Sequence, residues 1–167
     1  MILLAVDPGI RGCGVAIFAG TDLARAGYVK NECKSGNGPR EAAMMAWKIQ
    51  AWAELYEIGG IAVEWPQVYR SAKLRGDPND LLPLSAVAGA LAALFPDAQV
   101  SATRPAEWKG QMPKDICHAR VIAQLGDTER RRIAPAGALT HNVLDAVGIG
   151  LYARGRFSPR KGMSPKV

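Results

Sequence analysis

Cysteine is scarce in this 167-residue chain: Cys13, Cys33 and Cys117 are the only three, with no C-x-x-C spacing among them. An odd, unpaired set excludes a disulfide framework and a zinc knuckle and leaves buried or half-buried free thiols. Long apolar runs are missing too. The longest near-continuous one, Ala86 to Phe95, is too short to cross a bilayer, and no basic segment followed by a cleavable apolar one opens the chain. A soluble cytoplasmic protein without a membrane partner is therefore expected. Internal repeats, interior linkers and polar low-complexity tracts are absent ahead of the C-terminal region, which leaves an ordinary globular composition. Such a length suffices for one domain with its own core and leaves no room for two; that domain is expected over residues 1–153. From Arg154 onward no acid occurs, while Arg154, Arg156, Arg160, Lys161 and Lys166 stand among Gly, Ser and Pro. Residues 154–167 thus read as a flexible basic tail able to track a polyanion, nucleic acid before membrane, and they carry most of the net charge of +6.

What is present has a clear order. Ile2 to Val6, Cys13 to Phe18 and Leu23 to Val29 read as three strands separated by the turn signals "DPGIRG" and "AGTD", an antiparallel meander. The period then changes. Met45, Ile49, Trp52 and Tyr56 recur at helical steps between Arg40 and Ile58, ahead of Gly59-Gly60. "IAVEWP" is a short buried strand cut off by Pro66, and a polar loop follows to Asp80. "NDLLPLSAVAGALAALF" predicts a helix capped by Asn79 or Asp80, "AQVSATR" a fifth strand, and Pro113 to Leu125 a further helix. After the charged loop "GDTERRRIAPAG", "LTHNVLDAVGIGLYARG" predicts a final helix capped near Thr140. The sum is an α/β fold with a five-stranded mixed sheet flanked by α-helices.

Three acids fall where that order gives them meaning. Asp7 ends the first strand, Glu64 ends the fourth, and Asp145 lies on the last helix. If the first and fourth strands are neighbours, their carboxyl ends set Asp7 beside Glu64, with the last helix across that edge. Clustered carboxylates repel, and cations make them tolerable. Oxygen-rich sites suit magnesium or manganese, and two such ions roughly 3.5–4 Å apart can activate water and stabilise the leaving oxygen in phosphodiester hydrolysis. Taken singly, Asp7 before Pro-Gly reads as a turn initiator; beside the other two acids it becomes a candidate metal ligand.

"AVDPGIRGCGVAIF", "IAVEWPQVY" and "HNVLDAVGIGLYA" resemble the three acidic motifs of the RuvC-type Holliday junction resolvases, members of the RNase H-like nuclease superfamily, in their phage-type form. The resemblance runs from Met1 to Arg154. It implies an RNase H-like fold and a homodimeric crossover junction endodeoxyribonuclease that makes paired symmetric nicks in four-way or branched DNA. It further implies two magnesium ions per active site, with manganese also supporting activity and no nucleotide cofactor. Asp7, Glu64 and Asp145 match the family's metal ligands. The fourth position departs from the pattern, which has Asp or His three residues before the last acid. Here Asn142 stands there, with His141 one residue earlier. On a helix these lie about 60° and about 40° from Asp145, so both remain candidates, and His141 is favoured because imidazole binds a metal or relays a proton better than an amide does.

The loop "WPQVYRSAKLRGDPND" places Tyr69, Arg70, Lys73 and Arg75 beside Glu64, cations with an aromatic that suit phosphates and an unpaired base. In the resembled family an aromatic here opens the junction centre, a role that falls to Tyr69. "RPAEWKGQMPKD" resembles the region with two basic residues near the scissile phosphate, matched by Lys109 and Lys114; the resemblance implies catalytic and DNA-binding roles for them, stabilising developing charge or anchoring DNA. Trp65, Trp47 and Trp52 are expected in the core, and His118 as a surface or structural histidine. Rival readings are a nuclease of the same fold acting on RNA, hybrids or general branched DNA, and a non-catalytic junction-binding module. A phosphate-binding half of the actin and sugar-kinase type is disfavoured because that architecture needs two domains.

Overall fold

A computed structural model of the chain describes residues 1–68 and 77–159. The opening meander consists of β1 (Ile2–Asp7), β2 (Gly12–Ala19) and β3 (Asp22–Lys30). β1 pairs antiparallel with β2, setting Asp7 opposite Gly14, and β2 pairs antiparallel with β3. There follow α1 (Gly38–Trp52), β4 (Ile58–Glu64), α2 (Leu82–Leu94), β5 (Gln99–Thr103), α3 (Pro105–Trp108), α4 (Lys114–Ala123), α5 (Asp127–Arg130) and α6 (Thr140–Ala153), with single 3-10 turns at Pro78–Leu81 and Gly137–Leu139. The strand order is β3-β2-β1-β4-β5, with β1, β4 and β5 parallel. This is the expected five-stranded mixed sheet flanked by helices. Because the parallel strands run the same way, β1 and β4 end together: Val6 lies opposite Val63, and the next residues are Asp7 and Glu64.

Side chains alternate between the faces of a strand, and the two cores follow that period. Leu4, Val6, Ile61 and Val63 pack against Met45 and Ile49 of α1 and Val87 and Leu91 of α2. Leu3, Ala5 and Ala62 pack on the other face with Val143, Val147 and Leu151 of α6 and with Trp108. Asp7 and Glu64 continue the second series by one step, which directs them toward α6. That helix lies flush on the sheet because its contact points are glycines. A Cβ on Gly14 would collide with the Asn142 carbonyl, one on Gly148 with Trp108, and one on Gly150 with Phe18.

Some expectations change. α1 ends at Trp52 rather than Ile58, and Gly59-Gly60, which read as its stop, lie inside β4; there they make room for Met1, whose Cγ a Cβ on Gly59 would approach to 2.9 Å. The charged loop contains α5. Asp77, not Asn79 or Asp80, caps the turn before α2, accepting from the Asn79 backbone N–H at 2.9 Å. Residues 154–159 are docked rather than forming the start of a free tail. Phe157 is buried against Trp108, ring centroids 6.3 Å apart, and the Arg156 guanidinium grips both oxygens of Glu129 at 2.7 and 2.9 Å. An apolar anchor and a bidentate ion pair thus outweigh the mobility that the composition suggests. Arg160, Lys161 and Lys166 lie outside the described residues.

Cys13 and Cys117 are buried free thiols and Cys33 is half-buried, as expected. Trp52 packs on the core with Arg25 4.1 Å from its ring centroid. The other two expected core tryptophans are not in the core. Trp47 is 59% exposed because Met45, Ala46 and Ile49 take the buried side of α1, and Trp65 is 42% exposed because it stands one residue past the end of β4. Among the described residues no helix is long and apolar enough to cross a membrane.

Candidate active site

Asp7, Glu64 and Asp145 meet at the carboxyl edge of the parallel strands. Burial pushes the Asp7 carboxyl well above its ordinary range; the charges of Glu64 and Asp145 push it further, and Lys109 and Lys114 pull it back. Each of these groups therefore feels the others, although they come from β1, β4, α6 and the segment after β5. The loop that follows Asp7 is braced from two sides. Gly9 and Cys13 exchange backbone and thiol contacts at 3.2 Å, and burial pushes the Cys13 thiol up to about 12, which keeps it protonated. Asn31 donates to the carbonyls of Ile10 and Glu41 at 2.9 and 2.8 Å, while Arg11 pairs with the buried Glu41 at 3.3 Å.

Glu64 is held by α3 and its neighbour. The indole Nε1 of Trp108 donates to Glu64 Oε2 at 2.6 Å, and Lys109 Nζ reaches the same oxygen at 3.3 Å while lying 4.9 Å from the Trp108 ring centroid. Trp108 itself is wholly buried, so the indole fixes the carboxylate from the core side. Burial pulls the Lys109 amino group down, but Glu64, Asp145 and Asp7 outweigh that and raise it; it is a cation. Asp145 is held by α4: Lys114 Nζ lies 3.6 Å from Oδ2 and His118 Nε2 3.0 Å from Oδ1.

Trp108 is a site residue that sequence reasoning missed, and of the two roles expected for His118, surface or structural, the structure shows the second, against Asp145. His118 is no surface residue; its side chain is only 14% exposed. The signal was available in the spacing of "KDICHARV", where Lys114, Cys117, His118 and Val121 share one helical face, two of them buried in the α6 core. Trp108 was adjacent to the predicted Lys109, and only the position of α3 reveals its bond to Glu64.

His141 and Asn142 occupy the first turn of α6. The partner of His141 Nδ1 is the Ala138 carbonyl, 2.8 Å away. In a neutral ring that bond puts the proton on Nδ1 and leaves Nε2 as the lone-pair nitrogen, the form in which histidine ligates metals. Asn142 presents its backbone carbonyl to Gly14. Tyr69, Arg70, Lys73 and Arg75 lie outside the described residues.

Among the described residues no group of three His, Cys, Asp or Glu side chains is arranged to hold a metal ion as it stands. The donor chemistry nevertheless fits a hard divalent cation. Three carboxylates supply anionic oxygens, and Lys109 and Lys114 presently supply the positive charge that such a cluster requires.

Several solved structures that share this arrangement of strands and helices are resolvases. Thermus thermophilus RuvC in complex with Holliday junction substrate superposes with a TM-score of 0.65 at 22% identity, over 96% of this chain and 99% of that one. The fold is that of the RuvC-type resolvases. The fowlpox virus Holliday junction resolvase shares it at a TM-score of 0.55 and 16% identity, over 92% of this chain and 96% of that one. The yeast mitochondrial Holliday junction resolvase Ydc2 does so at 0.52 and 12%, over 92% and 79%. No family model and no curated protein sequence matches the chain. The RuvC-type fold places the ends of β1 and β4 under α6, and in this chain those positions are acidic.

Proposed function

We propose that this chain is a structure-selective, metal-dependent endodeoxyribonuclease that resolves four-way or other branched DNA junctions by paired symmetric nicks. The observation that carries the reading is the cluster of Asp7, Glu64 and Asp145 at the carboxyl edge of a RuvC-type sheet. One relative with this fold was solved on a Holliday junction substrate. Paired nicks need two sites, and the described residues hold one cluster of three acids, which supports a homodimer as the working unit.

Asp7, Glu64 and Asp145, with His141 or Asn142, would hold two magnesium or manganese ions, which when bound activate water for attack on phosphorus and neutralise the leaving oxygen. The rest is done by the chain itself. Trp108 locks the Glu64 carboxylate in one orientation, and His118 does the same for Asp145. Lys109 and Lys114, freed from those acids, turn to the scissile phosphate and stabilise the charge that builds on its oxygens. Tyr69, Arg70, Lys73 and Arg75 grip the backbone and the open centre of the branch, so recognition depends on DNA shape more than on base edges. The nuclease domain takes in the docked residues 154–159 as well as residues 1–153, and the basic residues after them add non-specific attraction to DNA.

The test is a labelled four-way junction assayed beside a linear duplex and an RNA–DNA hybrid, with and without magnesium. Only the junction should be cut, only with metal, and at symmetric positions on opposing strands. Equal cutting of all three substrates overturns the reading.

A further inference from the structure

One residue beyond Glu64 the chain does something its composition does not require. Trp65 is the next residue, and its backbone N–H donates to the Thr103 carbonyl at 2.9 Å, extending the β4–β5 ladder by one step. Pro66 then ends the strand. The extra step fixes Trp65 on the sheet face opposite to Glu64, since neighbouring residues of a strand project to opposite sides. The large ring is nevertheless 42% exposed. In the β4–β5 register Val63 faces the small Ala102 and Glu64 faces Thr103, so the residue that continues opposite Trp65 is Arg104. Among the described residues, Trp65, Ala102 and Arg104 line an open cleft of about 440 Å³, a size typical of small-ligand sites.

The cleft is built rather than incidental. Glu107 accepts from the Arg104 backbone N–H at 2.7 Å and pairs with its guanidinium at 3.2 Å, which holds the cation at the cleft wall while leaving most of its five donors unused. Cations lie over Trp52, Trp108 and Phe157, and among the described residues none lies over Trp65. A half-exposed indole, a small floor residue and a positioned guanidinium match a flat aromatic group attached to an anion. The chain's net charge of +6 favours the same class of ligand.

We infer that the Trp65–Arg104 cleft is a nucleobase subsite that receives one unstacked base of the DNA strand whose phosphate lies at Glu64. The placement of the phosphate rests on the nuclease reading above; the cleft's chemistry does not. A strand crossing the carboxyl edge of β4 meets the acid on one face of the sheet and the indole on the other. A base can reach Trp65 only by leaving its stack, which is cheapest where pairing is already broken, at a branch centre. The subsite would therefore favour branched over linear DNA through a contact separate from that of Tyr69.

The experiment is an abasic scan. Junctions carrying one abasic site at each position around the branch are titrated against wild type, Trp65→Ala, Trp65→Phe and Arg104→Gln in the absence of divalent metal, with fluorescence anisotropy reporting Kd. Trp65→Ala should weaken junction binding by about ten-fold or more, and Trp65→Phe should restore most of it. At one position the abasic penalty seen with wild type should vanish in Trp65→Ala, a coupling that a purely structural tryptophan would not produce. Wild-type affinity in Trp65→Ala, or identical abasic penalties in wild type and Trp65→Ala at every position, overturns the inference. The same scan on a labelled single strand separates it from the junction reading. A protein that binds junction no better than duplex defeats the latter, while coupling of Trp65 to a base on the single strand still upholds the subsite.

Discussion

Replacing Asp7 by asparagine should stabilise the metal-free protein while abolishing cutting. The wild-type carboxyl is buried, and Glu64 and Asp145 add to its raised proton affinity. In the folded state it thus holds its proton more tightly than in the unfolded chain, whose value is near 3.8. The favourable contribution of the protonated form is complete below pH 3.8 and is lost as pH rises through the folded value. Asparagine mimics the protonated acid at every pH. The variant and wild type should therefore match in acid and diverge on the alkaline side of that window. Relief of a buried, poorly compensated group contributes about 1–3 kcal/mol, and each kcal/mol moves the melting temperature of a chain this size by about 2–4 °C. Magnesium should reverse the order, because saturation to about a hundred times the dissociation constant adds about 2.7 kcal/mol to whichever protein binds it. Calorimetric melting across pH, with and without magnesium, reads both effects. Equal melting temperatures at neutral pH without metal, or an equal magnesium shift in both proteins, refutes the reasoning.

Other perturbations test separate parts. Glu129 is held down to about 2, first by Arg156, so its contribution is present above the ordinary value of 4.5 and is lost as pH falls through about 2. Glu129→Gln should cost about 2–3 kcal/mol in urea denaturation above that window and progressively less in acid. Lys109→Met should lower the junction cutting rate by about 10² or more with little change in junction Kd, as expected of a donor that acts on developing charge; an unchanged rate removes it from the chemistry. Gly14→Ala forces a Cβ against the Asn142 carbonyl and should destabilise by about 1–3 kcal/mol, with cutting falling in parallel because α6 carries Asp145; denaturation and cutting assays on the one variant read both.

The sheet was legible because its signals are local. Alternation, the turn "DPGIRG" and the proline after Glu64 each act within a few residues, and they place Asp7 and Glu64 at strand ends without reference to the rest of the chain. The supporting residues depend on distant packing. Nothing within "RPAEWK" says that the indole of Trp108 will meet Glu64, 44 positions away in sequence, and nothing within "KDICHARV" names Asp145 as the partner of His118. Gly59-Gly60 misled for a related reason: the same dipeptide that stops a helix also thins a strand where Met1 packs. The exposed tryptophans show the limit of composition. Trp47 lies about 100° round the helix from the buried Ala46, and Trp65 depends on a single ladder hydrogen bond past the strand end.

The charge balance of the site links these points. Three carboxylates gathered at one sheet edge would drive one another apart, yet the fold is built around them, with Asp145 buried in α6 and Glu64 bonded to a core indole. The chain meets that cost with its own cations, Lys109 on Glu64 and Lys114 on Asp145, while the His118 ring lies at hydrogen-bond distance from Asp145. Asp7 has no such partner among the described hydrogen bonds and ion pairs, and it is the acid whose carboxyl is pushed well above its ordinary range. The unmet demand for positive charge therefore falls on Asp7, at the end of the central strand between the other two acids. On the proposed reading Asp7, with Glu64 and Asp145, would hold a divalent cation, whose charge would meet that demand and leave the Lys109 and Lys114 ammonium groups available to a bound phosphate.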